Sequence, residues 1–378
     1  MTDLDWINSF DRKKIVDHSH TIINEIIQLI HDQKLYIHTQ HKLTVDELAL
    51  LYRWPIYVAV NIFIERFIRS VFLKKTDVYE LNFVPRYYPS VNDSISVYYH
   101  DIKFNQKLMN DISIVISNQY DDLDNVNIED ETTNNIYPSN DDIIIQQFYL
   151  RGISLLKRTT KRLICFLQKK RVQTIYFNDK QYKNIFSYIN RFSEIPYNNY
   201  EIDFAIRGKI KECCKTAFEK NMFDYTVTLD EKKKNHLLDL FASVVDHILP
   251  FSIIESLVER LNHYQKELKG WDVRKIHSAS GFYYSDNLKV FALLAKRKNA
   301  LLISQDDGVS NFVNYFPNNN IVPNQYKGLN QVMFMDYYCV WGKGKVIDGW
   351  NGVEENYNTK IINTGSVYLS SLKKWKKS

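Results

Sequence analysis

Glycine and proline are scarce in this chain, with 11 and 8 among 378 residues, while Tyr, Phe, Ile and Asn are abundant. That mixture fits a helix-rich α/β protein. Cysteine is scarcer still: Cys165, Cys213, Cys214 and Cys339 show no paired spacing. This excludes a disulfide framework, and adjacent Cys213 and Cys214 are poorly placed to clamp one metal without other ligands. A reducing cytoplasm is the simple expectation. The first ten residues, MTDLDWINSF, lack the basic and apolar blocks of a secretory signal. No stretch is expected to reach membrane-span length, because the best candidate, WPIYVAVNIFI, is interrupted by Pro55 and Asn61 and runs into Glu65 and Arg66. The formal charge of +5 is small for this length and is not gathered into one block, so it does not argue for nucleic acid. Neither a G-x-S-x-G elbow, a G-x-G-x-x-G turn nor a Walker loop is present, which removes support for hydrolase and common nucleotide-binding readings.

What is present is ordered along the chain. Ile22, Ile23, Ile26, Ile27 and Ile30 recur at helical spacing, so Asp17 to Gln33 reads as an amphipathic helix. Thr44 to Glu47, TVDE, matches a capping box and opens another helical region. Pro55 is expected to break or kink that region before a stretch that is apolar almost all round and therefore buried. Within it, Trp54, Asn61, Glu65 and Arg66 read as packing and internal-pairing residues. Tyr79 to Tyr99 looks extended and Phe104 to Tyr120 helical. An acidic, asparagine-rich segment follows without a single Lys or Arg, and without the ordered acid spacing of a calcium loop. The basic ends of KRTTKRLICFLQKKRVQTIYF read as the solvated flanks of a buried element, with a phosphate-binding or membrane-facing patch as the alternative. Two helical segments are then separated by Pro250, the second ending at Gly270.

The last hundred residues alternate: strand RKIHSAS, a helix opened by Ser285 or Asp286, strand ALLIS, turn QDDG, strand MDYYCVWGKG, and strand KIINTG. Strand–helix alternation predicts a parallel sheet with ligands at the carboxyl ends of its strands. Small residues after strands let a backbone approach a phosphate, with a helix N-terminus supplying N–H donors. His277 fits a general base or a diphosphate holder, and equally a satisfied strand-end histidine. Asp306 and Asp307 fit an acceptor-activating base or a metal ligand, and turn chemistry accounts for Asp-Asp-Gly as well.

The order of these segments resembles a family of bacterial transferases encoded in surface-carbohydrate gene clusters for O-antigen or capsule, similar to glycosyltransferases of the two-Rossmann-domain, GT-B type. The family's lP…E segment has its counterpart in LPFSIIE (Leu249 to Glu255), its His/Thr-Ser turn in IHSAS, its K-x-W/F-x-A helix in NLKVFALLA, its Q-H-G-G in LLISQDDG and its D-x-Y-x-x-W-G-W in MDYYCVWGKG. Upstream, LYRWPIYVAVNIFIERFIRSVF looks like the family's yW-x-i-l-x-x-P-W helix. Gln305, Gly308, Asp336, Trp341 and Gly342 match family positions. Asp306 stands where the family has His, Asp307 where it has Gly, and Lys343 where it has Trp. Two carboxylates there would repel a donor phosphate, since unit charges ~4 Å apart interact by roughly 4 kcal/mol near a protein surface.

The resemblance implies an α/β chain: a helix-rich N-terminal region over 1–120, an acidic flexible loop over 121–145, and a Rossmann-like parallel-sheet domain over 146–366 resembling the N-terminal half of a GT-B enzyme. Residues 367–378 would start a helix toward a second half that is absent here, supplied by another chain or lost. The implied activity is transfer of a sugar from a nucleotide donor to a glycan acceptor in the cytoplasm, without metal or further cofactor. His277, Asp306 and Asp307 would be catalytic, while Ser278, Lys289, Gln305, Gly308, Trp341, Gly342 and Gly365 would bind substrate, with Lys289 or Arg274 offsetting phosphate charge. A truncated, inactive relative that binds a glycan or a partner subunit is the alternative. Peripheral contact with the inner membrane stays open.

Overall fold

The computed structural model describes residues 12–35, 41–73, 102–116, 201–222, 229–270, 273, 275–278, 282, 285–305, 334–340 and 359–363. Among the described residues six helices precede a small sheet: α1 (Arg12–Asp32), α2 (Val45–Leu73), α3 (Ile102–Ile116), α4 (Phe204–Lys220), α5 (Glu231–Ile248) and α6 (Leu257–Glu267), the last extended by a 3-10 turn ending at Gly270. Then come β1 (Lys275–Ser278), α7 (Asp286–Lys296), β2 (Leu301–Gln305), β3 (Tyr337–Val340) and β4 (Lys360–Asn363). The described chain is thus mostly helical with a four-stranded parallel sheet, broadly α/β. The segments expected at Tyr79 to Tyr99, 121–145 and Lys157 to Arg171 lie outside the described residues.

The isoleucine stripe of α1 is fully buried and packs on α2. The TVDE signal forms the reciprocal bonds of a capping box: Thr44 N–H donates to Glu47 Oε2 at 2.9 Å, and Glu47 N–H to Thr44 Oγ1 at 3.3 Å. Thr44→Ala should lower stability by about 1 kcal/mol in urea denaturation, since one orphan N–H loses its acceptor.

Helix α2 runs through Pro55 without a break, which corrects the interruption expected there. Proline removes one backbone hydrogen bond and crowds the preceding turn, costing roughly 3 kcal/mol. On both sides of it Leu48, Leu51, Ile56, Val58, Val60, Ile62 and Phe63 are buried at 1% exposure or less. Each such side chain contributes roughly 1.5–3 kcal/mol, so tertiary burial outweighs the defect. Because the helix is continuous, Val45–Val71 is long and apolar enough to cross a membrane by length and composition, contrary to expectation; 94% of its most apolar window is buried inside the protein.

The polar residues of α2 pair internally, as expected. Asn61 Nδ2 donates to the Tyr57 carbonyl, Glu65 pairs with Arg66 and Arg69, and Arg66 reaches Asn105 on α3. Trp54 stacks on Tyr57. At the centre, Phe218 of α4 stacks on Phe241 of α5 with centroids 4.3 Å apart, and Phe63 of α2 meets both edge-on. Helices from both sides of residues 121–145 therefore share one core.

The strands lie in the order β1-β2-β3-β4, every pair parallel. Ile276 and Leu302 face the helical core and join its apolar cluster, whereas Lys275 and His277, at alternate positions, are exposed. Ser285 caps α7 by accepting from Leu288 N–H at 3.2 Å, and Asp286 is the first residue of the helix.

Candidate functional site at the sheet's carboxyl edge

Parallel registry fixes where the strands end. Ser278 lies beside Ser304, Gln305 beside Cys339, and Val340 beside Asn363. All four strands therefore leave the sheet along one edge, and the N-terminus of α7 returns from the same edge. His277 is paired with Ile303, two residues before Gln305, so the β1 and β2 exits adjoin. Among the described strands the order never reverses, so the gathering of ligand segments rests on this shared edge and not on a topological switch point.

His277 and Ser278 do not face the same way. Period-two alternation places Ser278 and the fully buried Ser304 on the face covered by the core, and exposed His277 on the other. Asp306, Asp307, Gly308, Trp341, Gly342 and Gly365 lie outside the described residues, as do Arg274 and Lys343. Gln305 is described as the last residue of β2.

Lys289 sits on α7, on the core side of the sheet, and is fully buried. Its ammonium stands 3.5 Å from Asp286 Oδ1 and makes no hydrogen bond. Burial pulls its pKa down to about 8, against an upward pull from Asp286. Asp286 in turn accepts from Ser252 Oγ, and Arg260 donates to Asn287 and, at 3.0 Å, to Ser256 Oγ. These contacts tie the first turn of α7, and with it the carboxyl edge, to the bend between α5 and α6. Asp336, matched by the resemblance, sits at the opposite, amino edge. Its backbone N–H donates to Leu302 O and its carboxylate accepts from Leu302 N–H at 2.7 Å, while its carbonyl accepts from Lys360 N–H. Asp336 joins β2, β3 and β4.

The residue that the sequence reading passed over is Arg207 of α4. It donates to both oxygens of Glu255, from Nε at 2.6 Å and Nη2 at 2.9 Å. Its Nη1 reaches the Asp246 carbonyl at 3.0 Å, the Asp246 carboxylate at 3.3 Å and the Leu249 carbonyl at 3.2 Å. Tyr52 OH completes the hold on this bend by donating to the Ile253 carbonyl at 2.9 Å. LPFSIIE is thus held to α2 and α4 by hydrogen bonds from Tyr52 and Arg207. A signal existed: Arg207 shares the helical spacing of Ile210, Cys214 and Ala217, so it lies on the buried stripe.

Cys213 and Cys214 are buried free thiols, the first raised to about 11 and the second well above its ordinary value, both chiefly by burial, which leaves neither a reactive thiolate. Among the described residues no three His, Cys, Asp or Glu side chains converge as metal ligands. In comparison with known proteins, the chain matches no family model, no curated protein and no solved structure.

Proposed function

We propose that this chain is a glycosyltransferase-like protein of bacterial surface-polysaccharide synthesis, with a Rossmann-like half binding a nucleotide-activated sugar at the carboxyl edge of its sheet. The observation that supports this reading is the common exit of four parallel strands, with the ends of β1 at Ser278 and of β2 at Gln305 lying side by side. Ordered motif resemblance over Leu249 to Ser366 supplies the chemical class. In the transfer, the acceptor hydroxyl oxygen bonds to the anomeric carbon of the sugar. The bond from that carbon to the diphosphate oxygen breaks, and the nucleoside diphosphate leaves with the electron pair. The hydroxyl proton passes to Asp306, Asp307 or His277. Gln305, Ser278 and the backbone of the glycine turns at Gly308, Gly342 and Gly365 would hold the donor, with Trp341 alongside. The donor and the glycan acceptor are substrates, and the chemistry draws on no other cofactor.

A second reading, a non-catalytic relative that binds a glycan or a partner subunit, draws on one structural fact. The lysine that would offset donor charge is sealed against Asp286 on the core side of the sheet, while the turn itself carries two carboxylates. Thermal-shift measurement against a panel of nucleotide sugars separates the two. A donor at about a hundred times its dissociation constant stabilises the fold by roughly 2.7 kcal/mol; a flat response across the panel overturns the transferase reading. If the turn is a decayed phosphate site, the double variant Asp306→His/Asp307→Gly should bind donor more tightly in calorimetry, because two like charges leave it. Unchanged or weaker binding would assign the acids a role of their own.

A further inference from the structure

The basic residues of this chain are dispersed in sequence, but the fold gathers a set of them at the amino edge of the sheet. Lys275 opens β1, and Lys266 and Lys269 end α6 just before it. The C-terminal end of α7, immediately before β2, carries Lys296, Arg297 and Lys298. Hydrogen bonds make these segments one surface: Lys298 Nζ donates to the Leu268 carbonyl, and Arg297 Nη2 to the carbonyl of Lys42. Lys296 and Arg297 are neutralised locally by Asp336 and Glu47. Lys42, Lys266, Lys269 and Lys275 are all exposed, and among the described residues none of their ammonium groups forms an ion pair. Three lysines of α4 and α5 differ: Lys215, Lys220 and Lys234 each lie 2.6–3.0 Å from a carboxylate. The amino edge thus carries four exposed lysines without an ion pair among the described residues, although the chain's net charge is small.

We propose that this amino edge docks on an anionic lipid surface. Lysines on flexible stems suit a diffuse headgroup layer, where each contributes about a fivefold gain in partition. A protein partner would call for an aromatic or arginine anchor, and single-stranded nucleic acid for a stacking platform. Among the described residues the exposed large apolar side chains are Phe204 and Ile362, neither on this edge, and Arg297 is held by Glu47. Docking by this edge turns the carboxyl rim away from the lipid, toward soluble ligands. The inference stands on charge placement alone and does not depend on the transferase reading.

The test is co-sedimentation of the full chain with phosphatidylcholine vesicles, with and without phosphatidylglycerol. Binding is expected with the anionic lipid only, weakening as added salt shortens the Debye length below about 8 Å. Lys266→Gln/Lys269→Gln/Lys275→Gln should reduce binding at least about tenfold by the same per-lysine gain. The triple Lys→Arg variant should retain it, and Lys209→Gln on α4 should leave it unchanged. Equal binding to neutral vesicles, or an unaffected triple Gln variant, overturns the proposal. So does RNA binding that depends on these lysines while vesicles are not bound.

Discussion

Arg207→Ala should cost about 3–5 kcal/mol of unfolding free energy, the range for removing one partner of a buried ion pair. The side chain is 2% exposed and uses three nitrogens on two carboxylates and two backbone carbonyls. Truncation takes the guanidinium from both oxygens of Glu255, leaving Oε1 the Asp203 N–H at 3.3 Å, and takes the cation from buried Asp246. Arg207→Lys should recover only a small part of the loss, because a single ammonium cannot reproduce the planar fork on Glu255 while reaching the Leu249 carbonyl. Whole-domain stability is commonly 5–15 kcal/mol, so the alanine variant should show a large drop in the urea midpoint. Pairing it with Glu255→Gln should cost less than the sum of the two single changes, since each has already broken the same bonds. A loss below about 1 kcal/mol, the value of an exposed pair, would mean the network does not hold the bend between α5 and α6.

Local signals were legible where one residue type has one physical reason to be there. The isoleucine stripe, the Thr44 to Glu47 box, the Ser285 cap and the strand–helix alternation each matched because pattern and environment agree. Pro55 misled because a propensity penalty is visible in sequence, whereas the burial that outweighs it belongs to the assembled core. At the candidate site, alternation alone separates His277 from Ser278, since neighbours in a strand face opposite ways. Asp286 and Lys289, three residues apart on a helix, could be read as an ion pair, but their complete burial could not. Asp336 was matched by motif and proved to be a joint between strands, a role set by which backbone groups lie beside it. The amino-edge lysines were illegible for a plainer reason. Residues 42, 266, 269 and 275 become neighbours only after folding.

Asp286→Asn should be the other severely destabilising change, and its cost should depend on pH. At neutral pH the variant leaves the Lys289 ammonium fully buried, without the carboxylate it faces among the described residues, at a cost of about 3–5 kcal/mol. In the native protein burial pulls the folded pKa of Lys289 down to about 8 from its ordinary 10.5, with Asp286 opposing the shift. Below pH 8 the lysine is protonated in folded and unfolded chains alike, so the attraction to Asp286 is fully present. Between 8 and 10.5 the unfolded chain holds a proton that the folded one has released, so this group's contribution to stability rises with pH. Through the same window the ammonium disappears and Asp286 loses its cation. The gap between wild type and Asp286→Asn should therefore be widest well below pH 8 and shrink at alkaline pH. Urea denaturation of both proteins on either side of pH 8 measures this, with the difference between them cancelling the titration of groups they share. Replacing the pair together, Asp286→Leu/Lys289→Met, should be close to neutral or stabilising by about 1–4 kcal/mol where packing permits, because the desolvation of both charges goes with them. A gap that does not vary with pH would show that the Ser252 hydrogen bond to Asp286, and not the ion pair, carries the stability of this turn.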